Sequence, residues 1–384
     1  MLDLAGFSSI HLTLPLWHLP LGISFFTFSA ISYLIDIYRG EVKFDRNPMN
    51  TALYISFFPK LLAGPIVQYR HMAEQIADRT ITMDKAAGGI QSFVIGLGKK
   101  VLIANTLGTV ADQIFAIPSN DLTTSLSWLG IVCYTLQIYF DFSGYSDMAI
   151  GIGRMAGFDF LENFNYPYIS QSIREFWRRW HISLSTWFRD YLYIPLGGNR
   201  HKPARTYLNL MIVFFLCGLW HGAGWTFVVW GVWHGIFMSV EHTRFGDIIK
   251  RTWSPVRHVY ALVVVMIGWV LFRSETFSYA VVYLKAMFGF ASGNGLEYFA
   301  GMYVSRLVLF VLLVALIGAV PLFPTLTRLK DEIVQASQAK GRIITDIVAL
   351  SSPLVTLVFL GSVFVASAMS LSGASNNPFI YFRF

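Results

Sequence analysis

The chain has 384 residues, of which 55% are hydrophobic and 13% charged, and its mean hydropathy is +0.54. Soluble domains carry about 25% charged residues, so the composition excludes an ordinary soluble protein and indicates a polytopic membrane protein. The net charge is +7, but the basic residues lie in short polar loops and form no basic stripe, which argues against nucleic-acid binding.

Apolar stretches of roughly 20 residues, the length needed to cross a bilayer, recur along the chain. They predict spans near 16–38, 86–110, 125–155, 206–222, 225–240, 257–273, 302–323 and 348–370. Another apolar stretch, 51–69, is interrupted by Pro59-Lys60 and Gly64-Pro65, which predicts a kinked or re-entrant element buried among helices. Lys60 is expected to snorkel or to pair with a carboxylate. The sequence therefore predicts one all-α integral membrane domain over 1–384.

Basic loops give the predicted orientation of the second half. Arg200, Lys202 and Arg205 precede a pair of spans, and Arg244, Lys250, Arg251 and Arg257 follow it. Both loops then lie on one side, which the positive-inside rule makes cytoplasmic. The segment 274–301 is expected outside, as is the tail 371–384.

Polar residues inside the segment 140–158 admit two interpretations. Asp141 and Asp147 lie in a nearly apolar stretch, with Arg154 two turns after Asp147. Intramembrane carboxylates normally pair, which favours a structural ion pair. Together with Lys60, they also suggest a transporter or flippase of lipid-linked sugar, but transporters often contain internal repeats and the sequence has none. Cys133 forms no C-x-x-C pair with Cys217, so both are predicted to be buried thiols.

The segment 172–200 predicts an amphipathic helix that ends near Pro195 and Gly197-Gly198. One group of residues falls within an arc of roughly 80° on such a helix: Arg174, Arg178, His181, Ser185 and Arg189. Aromatic residues, including Trp177, lie on the other side. The helix is interpreted either as an interfacial anchor on anionic lipid or as a surface for a phosphorylated carrier that points His181 into a cavity.

Two Trp-His-Gly triplets lie in the apolar stretch 216–235. A titratable imidazole is costly at membrane depth and usually faces a polar cavity, so His221 and His234 are functional candidates. His221 ranks first, because its glycine-rich surroundings permit close approach of a substrate or a helix. His234 is equally interpreted as a hydrogen-bonding partner of a neighbouring helix.

Histidines of this kind suit acyl transfer. An imidazole can take the proton of an attacking hydroxyl as a general base, and a thioester donor leaves as a thiolate without an acyl-enzyme nucleophile. The chain contains neither H-x-x-x-H nor H-E-x-x-H, so no metal site is predicted. It also lacks G-x-S-x-G, the motif of serine hydrolases.

Five sequence blocks resemble the membrane-bound O-acyltransferase family, in particular its bacterial branch with alginate O-acetyltransferase and teichoic-acid D-alanyl transfer members. The blocks are LPLGISFFTFSAISYLIDIYRG (19–40), FFPKLLAGPIVQY (57–69), YFDFSGYSDMAIGIGRMAGF (139–158), REFWRRWHISLSTWFRDYLYIPLGGNR (174–200) and GLWHGAGWTFVVWGVWHG (218–235). The closing NNPFIYFRF is similar to the tail of alginate-type members. Relatives usually have hydrophobic segments before the first block, where this chain has eighteen residues, so a shortened N-terminus is expected.

The resemblance implies a ring of transmembrane helices around a central funnel, with donor and acceptor arriving from opposite faces. It implies that His221 is the base or orients the acceptor hydroxyl, and that His181 lines the tunnel near the acyl carbonyl. The candidate substrate-binding residues are Arg174, Arg178, Trp177, Ser185, Trp220 and His234.

The expected function is O-acyl transfer in the bacterial inner membrane. An acetyl group passes from a cytoplasmic thioester, acetyl-CoA, towards an envelope polysaccharide such as alginate, and no bound cofactor is required. The resemblance also implies a periplasmic esterase-like partner. A D-alanyl or acyl carrier protein is an alternative donor, because the cationic residues suit a CoA phosphate or an acidic carrier. A non-catalytic scaffold is another alternative, in which both histidines can be lost harmlessly.

Overall fold

The computed structural model describes residues 22–322, 324–329, 332 and 342–373, and within these ranges the chain forms helices and no strand. This confirms the predicted all-α class. Four helical segments there are long and apolar enough to cross a membrane: Met83–Phe115, Pro203–His221, Ser254–Arg273 and Pro353–Ser372. Each coincides with a span predicted from the sequence, and the chain is a multi-pass membrane protein.

The first part of the described chain folds into four helices, of which α2 to α4 are short. They are α1 (Ile23–Tyr38), α2 (Pro48–Ser56), α3 (Phe58–Leu61) and α4 (Tyr69–Ala77). The side chain of Asn47 caps α2 by accepting the Met49 N–H at 3.0 Å. The breaks on either side of α3 confirm the predicted kinked element, which is buried at Pro59 and Lys60.

A long helical rod and its antiparallel partner form the centre of the molecule. The rod consists of α5 (Met83–Gly98), a π-helical turn (Lys99–Ala104) and α6 (Asn105–Phe115), and α7 (Thr124–Met155) packs along it. A Cβ at Gly89 would lie 2.6 Å from the carbonyl oxygen of Gly151, and one at Gly151 would lie 2.5 Å from that of Gly89. Only glycine permits this backbone contact, so the small residues set the spacing of the two central helices.

Two short helices and a helical hairpin pack beside this centre. They are α8 (Ile173–Arg179), α9 (Ile182–Phe188) with a following π-helical turn (Arg189–Tyr193), α10 (Pro203–His221) and α11 (Trp225–Val240). Only Gly222, Ala223 and Gly224 separate α10 from α11. The hairpin therefore carries one Trp-His-Gly triplet at the end of α10 and the other inside α11.

The remaining helices are α12 (Arg244–Arg251), α13 (Ser254–Arg273), α14 (Phe277–Met287), α15 (Arg306–Gly318) and α16 (Arg342–Ser372). The sequence analysis does not predict α14, because its 11 residues are too few for a span and lie in the segment 274–301 assigned to the outside. Residues 16–21 of the first predicted span and the closing NNPFIYFRF lie outside the described residues.

Candidate active site

The amphipathic segment 172–200 is broken at His181, so the prediction of a single helix is wrong. His181 has φ 44° and ψ 56°, in the left-handed region, and stands between α8 and α9. The chain at 163–165 runs alongside the break: the Ile182 N–H donates to the Asn163 carbonyl at 2.9 Å, and the Asn165 N–H donates to the Arg179 carbonyl at 2.9 Å. These tertiary hydrogen bonds replace those that an unbroken helix would make.

The break separates His181 from the arginines with which it was predicted to share a face. His181 is 1% exposed, whereas Arg178 and Arg189 are exposed. Its imidazole packs against Phe142, with ring centroids 4.7 Å apart, and its Nδ1 lies 3.2 Å from Oδ1 of Asn163. Its Nε2 is buried and has no hydrogen-bond partner among the described residues. His181 therefore belongs to the interior of the molecule.

Trp220 brings the two principal histidines to the same place. Its ring centroid lies 6.4 Å from that of His181 and 4.7 Å from that of His221. His221, the last residue of α10, also packs against Trp230 at 4.9 Å and Phe272 at 5.2 Å. As a whole residue, His221 is half-buried.

His234 lies deeper in the molecule. It is fully buried, its Nδ1 accepts a hydrogen bond from the Trp177 Nε1–H at 3.3 Å, and it packs against Trp230 at 5.3 Å. Because Trp230 contacts both His221 and His234, the second Trp-His-Gly histidine supports the aromatic ring that packs on the first.

A cavity of about 490 Å³ lies between α8, α9, α10 and the end of α11. Four predicted substrate-binding residues line it together: Arg174, Trp177, Arg178 and Ser185. The sequence analysis did not select several other lining residues, among them Tyr193, Asn199 and His242, because only tertiary packing brings them to this cavity. Among the residues that the structure describes, three arginines and no carboxylate line the cavity, so it favours an anionic occupant.

One face of α10 connects the cavity with the histidines. Leu210, Val213, Phe214 and Cys217 line the cavity, and their spacing places them on one side of the helix. Trp220 and His221 continue this side by one turn, and at 1.5 Å per residue His221 lies roughly 16 Å along the axis from Leu210. The cavity and His221 thus lie at two levels along one face of α10.

A smaller cavity of about 220 Å³ lies on the other side of α9 and is lined by His71 and Ser183 among others. Burial, with a smaller contribution from the charge of Arg70, lowers the pKa of His71 below its usual value. Asp159 and Glu162 line this cavity, so it is less cationic than the larger one. Within the described segments, no group of three or more His, Cys, Asp or Glu side chains is arranged to hold a metal ion.

The intramembrane carboxylates form ion pairs with lysines. Asp141 pairs with Lys100, and Asp147 pairs with Lys99 at 2.6 Å. This confirms the structural interpretation, although Arg154 is not the partner, since it lies 3.5 Å from Asp159. The pairing accounts for the two carboxylates that had suggested a transporter.

Lys60 departs from its prediction. It is 3% exposed, donates to Ser29 Oγ at 3.3 Å and lies 4.4 Å from the centre of the Tyr54 ring. No carboxylate of the described residues forms a salt bridge with it, so it neither snorkels nor pairs with an acid. The compact fold around α3 encloses its whole side chain.

The fold and this site together define a polytopic helical membrane enzyme. Its imidazoles of His181 and His221 contact Trp220, one turn beyond the α10 residues that line the cationic cavity. Residues 42–282 match the model of MBOAT, the membrane-bound O-acyltransferase family, and this region contains all three histidines of the site. The chain belongs to this family and is an O-acyltransferase.

Three similar proteins indicate the range of the family around this chain. "Probable alginate O-acetylase AlgI" of Azotobacter vinelandii is 45% identical over 95% of this chain and 76% of its own length. Peptidoglycan O-acetyltransferase of Helicobacter pylori is 41% identical over 74% of this chain and 58% of its own length. Teichoic acid D-alanyltransferase of Bacillus subtilis is 30% identical over 67% and 69%, respectively. These relatives are named for acyl transfer to different polymers.

Proposed function

We propose that this enzyme transfers an acetyl group from acetyl-CoA on the cytoplasmic side of the bacterial inner membrane towards an envelope polysaccharide such as alginate. The observation that carries the proposal is the contact of His181 and His221 with one indole, that of Trp220. The indole continues the helix face that lines the arginine-rich cavity. The name of the Azotobacter relative supports the acetyl group and the polysaccharide.

The reaction requires few groups. An acceptor hydroxyl oxygen attacks the thioester carbonyl carbon, a new C–O bond forms, the C–S bond breaks and the sulfur leaves as a thiolate. His221 takes the hydroxyl proton as general base, which contributes about 10²- to 10⁴-fold to such rates, and the proton later passes to the thiolate. The partial exposure of His221 is consistent with access for the reactants.

The cavity supplies the donor site in this proposal. Arg174 and Arg178 bind the phosphates of CoA, Ser185 donates a hydrogen bond, and Trp177 forms the apolar wall. His234 acts as a positioning residue through Trp230 and Trp177. The same arginines also suit an acidic carrier protein as the donor. Because one relative is a D-alanyltransferase, the experiment below includes this donor as a possible outcome.

The acceptor side is proposed to involve a second protein. A periplasmic esterase-like partner receives the acetyl group or delivers the polysaccharide to the opening opposite the donor cavity. Acyl transfer through the membrane explains why the reaction uses a membrane enzyme, since the activated donor lies on one side and the polymer on the other.

Replacement of His221 tests the proposal. The purified protein in lipid nanodiscs is given radiolabelled acetyl-CoA with an alginate oligosaccharide and the partner, and transfer of label is measured. We expect His221→Ala to lower transfer by at least about 10²-fold, with unchanged elution on size-exclusion chromatography. His258→Ala, a histidine of α13 outside the cavity lining, is the matched control.

Two results would contradict the proposal. Full transfer by His221→Ala excludes this imidazole as the base. If acyl groups are transferred only from an acylated carrier protein and not from acetyl-CoA, the carrier is the donor. The assignment of the acyltransferase site is unaffected by this result.

A further inference from the structure

The side-chain amide of Asn163 has a defined orientation beside His181. The backbone N–H of Ser183 lies 3.1 Å from Oδ1 of Asn163, and the Ser183 hydroxyl donates to the same oxygen at 2.9 Å. A backbone N–H can only donate, so the amide atom that faces it must be the oxygen rather than the NH₂ group. The assignment therefore does not depend on the usual ambiguity between amide oxygen and nitrogen.

This oxygen determines which nitrogen of His181 carries hydrogen. Nδ1 of His181 lies 3.2 Å from Oδ1 of Asn163, and two lone pairs at that distance repel, so Nδ1 must donate. The Ser183 hydroxyl is a poorer partner for Nδ1, at 3.5 Å. It also accepts the Ile66 N–H at 3.0 Å, which leaves its own proton directed at Asn163.

The other nitrogen of His181 is then an acceptor. A neutral imidazole carries one N–H, so Nε2 keeps its lone pair. Nε2 is buried and has no hydrogen-bond partner among the described residues, and a buried polar atom left unpaired is energetically costly. A group that arrives with the reactants relieves this cost by donating to Nε2.

We infer that Asn163, oriented by the backbone N–H of Ser183, is a positioning residue that holds His181 as the Nδ1–H tautomer, so that Nε2 accepts a hydrogen bond from a hydroxyl of the acceptor other than the one whose proton His221 takes. The role in the reaction depends on the proposed function, whereas the tautomer does not. In this tautomer Nε2 of neutral His181 has no N–H to donate to an acyl carbonyl oxygen, so the inferred role of His181 is to orient the acceptor.

Nitrogen NMR tests the tautomer directly. The full chain is labelled with ¹⁵N-histidine and studied in nanodiscs without substrate, and the His181 signals are identified by their loss in His181→Gln. We expect a protonated Nδ1 and an unprotonated Nε2. An Nε2–H tautomer in the unsubstituted protein would overturn the inference, whether or not the protein transfers acyl groups.

Three variants test the assignment to Asn163. Asn163→Asp keeps an acceptor oxygen and should retain the tautomer, as should Ser183→Ala, which keeps the backbone N–H. Asn163→Ala removes the acceptor, so it should give a mixture of tautomers and lower kcat at least about 10-fold with little change in KM for the donor. If Asn163→Asp keeps the kcat that Asn163→Ala loses, the loss comes from the changed tautomer and not from general damage to the fold. An unchanged His181 spectrum in Asn163→Ala refutes the role of Asn163.

Discussion

Single residues on three helices hold the aromatic layer behind His221. His234 on α11 accepts from Trp177 of α8, while Gly268 of α13 leaves the space that its Nε2 approaches. A Cβ at position 268 would lie 2.8 Å from that nitrogen. Since the imidazole is enclosed by rings on its other sides, it has no direction in which to move.

The substitution Gly268→Ala should therefore destabilise the protein by about 1–3 kcal/mol through overpacking. Gly361→Ala is the matched control, because nothing lies within 4 Å of a Cβ there and alanine favours a helix. The thermal unfolding midpoint in detergent should fall for the first variant and stay equal or rise for the second. An equal midpoint in both would show that His234 tolerates a methyl group.

At the scale of elements, the π-helical turn between α5 and α6 presents two consecutive lysines to α7. Lys99 reaches Asp147 and Lys100 reaches Asp141, six residues apart on α7. The second pair is enclosed, since the Asp141 side chain is 2% exposed. Helices α5 and α7 are thus joined by glycine contacts at one level and by ion pairs at the next.

Loss of Lys100 should be costly, because it leaves a buried carboxylate without its counter-charge. Breaking a buried pair in this way destabilises by about 3–5 kcal/mol, so Lys100→Ala should lower the yield of monodisperse protein and the unfolding midpoint. Arg154→Ala breaks a pair whose side chains are 38% and 50% exposed and should change neither measurably. Addition of Asp141→Ala to Lys100→Ala should recover part of the loss; no recovery would exclude the uncompensated charge as the cause.

At the scale of the whole molecule, the larger cavity lies beside the basic segment that begins α10. Asn199 lines the cavity and lies immediately before the basic segment of Arg200, Lys202 and Arg205. If the positive-inside rule holds, the cavity opens to the cytoplasm, where acetyl-CoA is available.

Thiol labelling in intact cells tests this orientation. In a background with Cys133→Ala and Cys217→Ala, Lys202→Cys should react with a membrane-impermeant maleimide only after the inner membrane is opened. Asn294→Cys, an equally exposed position in the segment predicted outside, should react before. Labelling of Lys202→Cys from the periplasm would place the donor cavity on the wrong side and contradict the proposed direction of transfer.

The sequence by itself determined the all-α class and most of the membrane helices, and it selected His181 and His221 as the candidate site residues. Apolar length, charge and motif are local properties, so they can be recognised without a fold. The helix α14 was missed for the same reason, since 11 residues give no span-length signal. Local periodicity also gave a wrong prediction at 172–200, where it predicts one helix but the structure has two, separated at His181.

Only the tertiary structure decided how these parts meet. The break at His181 depends on hydrogen bonds with residues 163–165. The contact of His181 with Trp220 joins residues 39 positions apart. The lysine partners of Asp141 and Asp147 come from a π-helical turn 41 and 48 residues away in the chain. Contacts between residues so distant in sequence carry no periodic signal. They exist because buried polar groups must find partners wherever the packed helices place them.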